Sequence, residues 1–319
     1  MPTSKTTTFI LLAILSLASV VLALFVGSVS DADAAIIYQL RLPRVLAAFA
    51  VGGLLAMSGS LLQVLTRNPL AEPSVLGVSG GASVGALAVL MLGGAGTIWV
   101  AGGAWLGAIT VMILLWILVG GFSVHPSRLL LAGVMVATGC GAITTLMIAF
   151  ASNVAMPGMI QWLMGDLDSV MSLESVGAIL GVWLSVLIIV WRLSPKIHIL
   201  QLGTDKAMTL GIDVSYIQWV MVLLSALSAA AAVSIAGSIG FVGLLVPHIL
   251  RALIVKQHGP DQRFLLPSSA LLGGAFLVLS DMFARTVIAP SQLPVGVITA
   301  LIGVPSFLWI LSRFRQWNS

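Results

Sequence analysis

Apolar runs of about 20 residues recur along the whole chain, separated by short polar or Gly/Pro-containing stretches. That is the length a helix needs to cross a bilayer core. The runs do not alternate polar with apolar residues, as strands of a membrane barrel would. The pattern predicts an all-α polytopic membrane protein with about ten transmembrane helices, at 9–27, 42–64, 75–92, 98–120, 128–150, 174–192, 215–236, 240–254, 265–285 and 294–312. The eighth is short and carries Pro247, so it is expected to be broken or buried by neighbours that satisfy its freed backbone groups. The longest connections are 28–41, 151–173 and 193–214, and none holds a soluble domain, so residues 1–319 read as one transmembrane domain. Two groups of five helices would be inverted in topology, a frequent transporter design.

Composition excludes a soluble alternative. With 59% apolar and 8% charged residues, 319 residues could not cover a water-facing surface. Cations then set the orientation. An N-terminus inside puts Lys5, Arg67, Arg128, Arg192, Lys196, Lys206, Arg251, Lys256, Arg263, Arg313 and Arg315 on the inner side, 11 of the 14 Lys+Arg. Only Arg41, Arg44 and Arg285 fall outside, beside Asp31, Asp33, Asp166, Asp168 and Glu174. Both termini are therefore expected in the cytoplasm. The net charge of +4 reflects this sorting at helix ends and not a nucleic-acid surface. The first apolar stretch, Phe9 to Val26, is longer than the hydrophobic region of a usual signal peptide and reads as a retained helix, despite Ala32-Asp33-Ala34 resembling a cleavage site.

Little in the chain suggests chemistry. Cys140 is the single cysteine, so no intrachain disulfide or thiolate metal site can form. There is no phosphate-binding loop for ATP. Gly81-Ala82-Ser83-Val84-Gly85 spells the turn of a serine hydrolase, but it opens a small-residue helix, and its glycines suit close packing better. The small-xxx-small spacings Gly81/Gly85, Gly103/Gly107 and Gly177/Gly181 let backbones approach, within one subunit or across a dimer seam. Asp281 is the only acid inside a span, one turn before Arg285, an arrangement expected to form a helix-end ion pair. His248 reads as a structural histidine, since His125, His198 and His258 lie in separate connections. So few intramembrane ionisable groups weaken an ion-coupled secondary transporter, the alternative function.

Several ordered blocks carry a resemblance. Gly240 to Arg251 (GFVGLLVPHILR), Arg41-Leu42-Pro43-Arg44, Asn68-Pro69-Leu70-Ala71-Glu72-Pro73 with Leu76 to Ala82, Leu129 to Gly133, and Leu293 to Ala300 with Gly303 and Pro305 are similar to permease subunits of ABC importers for iron chelates and cobalamin. The resemblance implies a non-catalytic homodimeric permease in the bacterial inner membrane. Two cytoplasmic ATPase subunits would bind the ATP and Mg, with no cofactor on this chain. A periplasmic or lipid-anchored binding protein would deliver the cargo, with ferric siderophore favoured and cobalamin or haem open. No nucleic-acid partner is implied.

The resemblance also assigns roles. The fifth and tenth helices would line the pore on the dimer axis. Arg41, Arg44 and Arg285 would receive acidic residues of the binding protein, as guanidinium forks pair with carboxylates. Leu202, Gly203, Asp205, Lys206, Ala207, Leu210 and Gly211, within 194–214, would form the loop that couples to the ATPase. Family members often carry an acid directly after Leu-Gly, where this chain has Thr204. His125, Pro126 and Ser127 resemble the inner gate region.

Overall fold

In a computed structural model, residues 5–27, 33–94, 96–121, 126–168, 173–255 and 259–314 are described. The chain runs through α1 (Lys5–Phe25), α2 (Ala34–Ile36), a π-turn (Ile37–Arg41), α3 (Leu42–Thr66), a 3-10 turn (Pro73–Leu76), α4 (Val78–Met91), α5 (Thr97–Val119) and α6 (Pro126–Ala149). It continues through α7 (Met156–Met164), α8 (Leu173–Leu200), α9 (Thr204–Thr209), α10 (Val214–Ala236), α11 (Val242–Leu250), a π-turn (Arg251–Val255), α12 (Gln262–Thr286) and α13 (Val295–Phe314). No strand occurs among the described residues.

The helix spanning 34–66 is the post around which the others pack. It is apolar or small all round, so every face can be buried, and nearly every residue from Pro43 to Leu65 is. Helices α8, α10, α11 and α12 pack against it, and α1 lies outside on α12. Ser16 Oγ of α1 donates to Leu271 O across that contact at 3.0 Å. Pro43 stands inside this helix, not at its start. It has no N–H to give the ladder, and the π-turn immediately upstream, with Leu42 N–H reaching back to Ile37 O, absorbs the local change in winding.

Close approach of backbones sets the geometry. A Cβ on Gly59 would lie 1.9 Å from Gly243 O, so α3 and α11 touch main chain to main chain. In a second wing, a Cβ on Gly85 would meet Gly103 O at 2.0 Å. The first two small-xxx-small pairs thus interlock α4 with α5 inside one subunit, and the hydrolase-like spelling at Gly81–Gly85 belongs to this seam. Ser83 Oγ donates to Ser79 O of its own helix. Gly177 and Gly181 on α8 have nothing within 4 Å of a built Cβ, so the third pair makes no comparable contact.

Among the described residues, seven helices are long and apolar enough to cross a membrane: Lys5–Phe25, Ala34–Thr66, Thr97–Val119, Pro126–Ala149, Glu174–Leu200, Val214–Ala236 and Gln262–Thr286. The other three expected spans coincide with shorter apolar helices, Val78–Met91, Val242–Ile254 and Val295–Trp309. The eighth is not broken at Pro247, since helix runs through it from Val242 to Val255, but it is buried by its neighbours, the other outcome expected. Non-helical backbone at 237–240, with Gly237 at φ +66, leads into α11. The expected connections need correction. Residues 34–41 are helical and prolong α3, residues 156–164 form α7, and 193–200 continue α8, whose Pro195 it tolerates. Apolar periodicity marks the membrane-facing stretch and misses polar ends that continue a helix.

Gly59→Ala is expected to destabilise the protein by about 1–3 kcal/mol through overpacking. Gly139→Ala, on an α6 face with nothing within 4 Å of the built Cβ, is expected to be neutral or slightly stabilising. Thermal unfolding in detergent measures both. At the opposite end of the bundle from Arg44, Asp261 caps α12 by accepting from Arg263 N at 3.0 Å, and Lys5 Nζ donates to it at 2.9 Å. Partial burial raises the Asp261 carboxyl, but the bonds from Lys5 and the Arg263 backbone and the two nearby cations outweigh it, so it lies below the usual carboxylate range. Its contribution to stability is present above the unfolded-state value of about 3.9 and is lost as pH falls through the lower folded value. The stability gap between the native protein and Asp261→Asn should therefore close as pH is taken below about 4.

Candidate functional sites at the two ends of the bundle

One end of the bundle holds a buried ion cluster assembled from four separate segments. Arg44, two residues into α3, donates from Nε to Asp281 Oδ1 at 2.9 Å, and its Nη2 lies 2.8 Å from the same oxygen. Asp281 sits in the last turns of α12 and is completely buried. Its other oxygen lies 3.0 Å from Arg285 Nε, one turn on. Arg44 Nη1 also donates to Gln292 Oε1 at 2.9 Å and to Asp168 Oδ1, and Asp166 Oδ1 lies 3.8 Å from Nη2. The expected Asp281–Arg285 pair is therefore present, but Asp281 is shared with Arg44 across two helices.

Arg41 and Arg285 also close the end of α1. Arg41 Nη1 donates to Leu24 O and Phe25 O at 3.1 and 3.0 Å, and Arg285 Nη2 donates to Ala23 O at 3.4 Å. The last carbonyls of a helix lack intrahelical partners and carry the negative end of its dipole, so a guanidinium is the complementary cap. Three arginines and three aspartates, Asp166, Asp168 and Asp281, balance in charge. That balance lets guanidinium groups be buried at an end where charge would otherwise be desolvated without a partner. The residue-level consequence is plain: Arg41, Arg44 and Arg285 are 6%, 7% and 5% exposed and lie beneath the surface. Asp168 is the open member of the cluster, with 42% of its side chain exposed.

The cluster also fixes α7. Asp166 N donates to Ala236 O at 2.9 Å at the end of α10, and Gln161 Nε2 of α7 donates to Asp166 Oδ2 at 3.0 Å. Asp166 Oδ1 accepts from Leu167 N and Asp168 N, which shapes the turn that aims Asp168 at Arg44. Gly296 N donates to Gly165 O, joining the start of α13. Sequence reading placed Asp166 and Asp168 on the same side as the arginines without pairing them. Gln292 carried no signal.

The opposite end presents a helix–turn–helix. Leu200 ends α8, Gly203 turns at φ +117, α9 occupies Thr204–Thr209, and Gly211 turns again at φ +77 into α10. Ala207 is fully buried and anchors α9, while Leu202, Met208 and Leu210 are 56%, 55% and 62% exposed. Asp205 and Lys206 are exposed, and Asp213 caps α10 by accepting from Tyr216 N at 3.0 Å. Thr204 begins α9 at the position where an acid was expected. Large apolar side chains are thus exposed on a short turn that also carries Asp205 and Lys206. Of the inner-gate residues, Pro126 opens α6 half-buried and Ser127 is exposed, and His125 lies outside the described residues.

Between the two ends, Glu72 Oε1 accepts from Phe241 N at 2.6 Å at the entry to α11. Phe241 has φ +69, a conformation that costs a bulky side chain energy and is held here by Glu72 and by packing on Gly303. Gln63 Nε2 donates to Ala71 O and Gly243 O, and Arg251 Nη2 donates to Gln63 Oε1. Gln63 thereby satisfies Gly243 O, the carbonyl that Pro247, four residues on and without an N–H, leaves free inside α11. The Asn-Pro-Leu-Ala-Glu-Pro block and the Gly240–Arg251 block are thus two halves of one contact. Among the described residues no group of three or more His, Cys, Asp or Glu side chains is arranged to hold a metal.

With this geometry, the chain belongs to the FecCD transport family, which it matches over residues 6–313. It is 36% identical to the vitamin B12 import system permease protein BtuC of Citrobacter koseri, over 96% of this chain and 94% of that protein. The Escherichia coli O9:H4 protein of the same name is 37% identical over 88% and 84% of the two chains. A solved structure described as an inward-facing conformation of a metal-chelate type ABC transporter superposes with a TM-score of 0.86, at 28% identity over 97% of this chain and 99% of that one. PsaBC from Streptococcus pneumoniae shares the fold at a TM-score of 0.59 and 17% identity.

Asp281→Asn would leave two buried arginines without their shared carboxylate. The expected cost is about 3–5 kcal/mol, read as a lowered unfolding midpoint in detergent. An unchanged midpoint would mean that the cluster does not hold α3 to α12.

Proposed function

We propose that this chain is the permease subunit of a binding-protein-dependent ABC importer that carries a metal chelate across the bacterial inner membrane. The observation that carries this reading is the family match along nearly the whole chain, from residue 6 to residue 313, to a transport family whose relatives here are import permeases. The exposed Leu202, Met208 and Leu210 around α9 support a seat in a groove of a cytoplasmic ATPase, which would bind ATP and Mg. The wide exposed apolar faces of α6 (Leu131, Met135, Leu146) and α13 (Leu301, Leu308, Trp309) support a homodimer with its pore between them. Alternating access would follow from nucleotide-driven movement of α9, passed through α10 to the post formed by α3.

The cargo class is a metal chelate. Cobalamin, named for the Citrobacter and Escherichia relatives, is the first candidate, and a ferric siderophore the second. The burial of the three arginines refines how a binding protein would dock. An incoming carboxylate reaches Arg44 by taking the place of Asp168, the one exposed acid of the cluster. Arg41 and Arg285 then act mainly by holding the end of α1 and the shared Asp281 in place.

Reconstituted with its cognate ATPase and binding protein, the chain is expected to accumulate cobalamin or a ferric siderophore in liposomes only when ATP is supplied. Uptake driven by an ion gradient without ATP or the ATPase would sink the reading. Arg44→Gln should weaken binding-protein affinity about tenfold or more, the loss of a charge-assisted bidentate contact. Asp168→Asn should strengthen it by removing the internal competitor, and equal affinities for all three proteins would rule out docking at this cluster.

A further inference from the structure

A groove of about 490 Å³ lies between α1, α8 and α12, on the outside of the bundle at the end opposite the arginine cluster. Its walls come in two layers, one helical turn apart on each helix. The rim carries Lys5, Arg263 and Trp191. One turn further along, Phe9 and Ile188 make an apolar floor, and the Phe9 and Phe264 rings meet edge-on at 6.2 Å. Polar and charged groups at one level with an apolar slot beneath match the cross-section of a bilayer leaflet at its headgroup boundary, where Trp and cations are the favoured residues.

The rim is short of negative charge. Lys5 and Arg263 share the single carboxylate of Asp261, which leaves one net positive charge. Arg263 uses Nε on Asp261, and its terminal nitrogens bond no described residue. Both cations are accessible, with 47% and 59% of their side chains exposed. Trp191 is exposed and adds an indole N–H donor at that level. The groove opens onto α1 and α8, among the least buried of the long helices, whose outward faces (Ile10, Leu17, Leu184) are apolar. Hydrocarbon therefore meets its open side, and an anion is what its rim lacks.

We infer that this groove binds one anionic phospholipid, with the phosphate on Lys5 and Arg263 and an acyl chain against Phe9, Ile188 and Phe264. The site is separate from the arginine cluster and from α9. It ties the first helix to α8 and α12 through a lipid as well as through Asp261.

The test is native mass spectrometry of the delipidated full chain in uncharged detergent, titrated with dioleoyl phosphatidylglycerol or with dioleoyl phosphatidylcholine. Phosphatidylglycerol is expected to bind more tightly, and K5Q and R263Q each to lose about fivefold of that affinity. I188W fills the apolar slot without touching the cations and should also weaken binding. Equal affinity for the two lipids, or no effect of any of the three variants, would overturn the inference. Competition by inorganic phosphate as effective as that by phosphatidylglycerol would make the site one for a free anion and overturn it too. A change in oligomeric state in I188W with lipid binding unchanged would assign the groove to a second copy of the chain.

Discussion

Close contact of helix backbones around one central helix is the constraint on which the rest of this protein depends. In a bilayer, lipid tails are as apolar as leucine, so burying leucine against leucine gives helices little reason to associate. What remains is dispersion over closely matched surfaces and polar bonds with no water to compete. The helix at 34–66 meets that need with glycine where α11 and α12 cross it, at Gly59 and Gly52. Because the post is buried on all sides, the chain can place its polar exceptions against it. Arg44 at one end and Gln63 near the other both project from this single helix, and each ties segments distant in sequence.

The polar exceptions divide into those that only hold the fold and those that the proposed function also turns toward a partner. Glu72 and Gln63 serve the eighth span, Glu72 at its entry on Phe241 N and Gln63 on Gly243 O, which Pro247 leaves free. The arginine cluster is mixed. Its inner part, Arg44 and Arg285 sharing the carboxylate of Asp281, is buried, and the balance is completed only by Asp166 and Asp168 further out. Its outer part, Asp168, is open to solvent, the place where the proposed docking would exchange one carboxylate for another. In the docking role proposed for it, the cluster is electrostatically satisfied before a partner arrives. Such an arrangement favours specificity over raw affinity, since an incoming acid must match the geometry that Asp168 already fills.

The two ends are mechanically joined through the same post. The turn containing Asp166 bonds the end of α10 and the start of α13, while α10 runs the length of the bundle to the α9 turn. A movement imposed on α9 therefore has a rigid, packed route to the loop that carries Asp168. The groove beneath Lys5 and Arg263 lies off this route, on the perimeter of the bundle.

Much of this was legible in the sequence, because membrane-spanning length and cation sorting are properties of composition along a line. Ten apolar segments, the burial of the segment around Pro247, and the ordered blocks similar to chelate-importer permeases all follow from residues 1–319 alone; that this segment stays helical through Pro247 does not. The sequence also placed Arg41, Arg44 and Arg285 together at one end, by charge sorting. It could not show that they are buried, because that depends on Asp166, Asp168 and Gln292 arriving from separate segments. Nor could it tell Gly81/Gly85 with Gly103/Gly107, which interlock, from Gly177/Gly181, which touch nothing, since identical spacing acquires meaning only from the helix that comes to lie opposite. Local pattern determined what each segment is, and tertiary packing decided which polar groups meet, because a pairing across 237 residues leaves no mark in either neighbourhood.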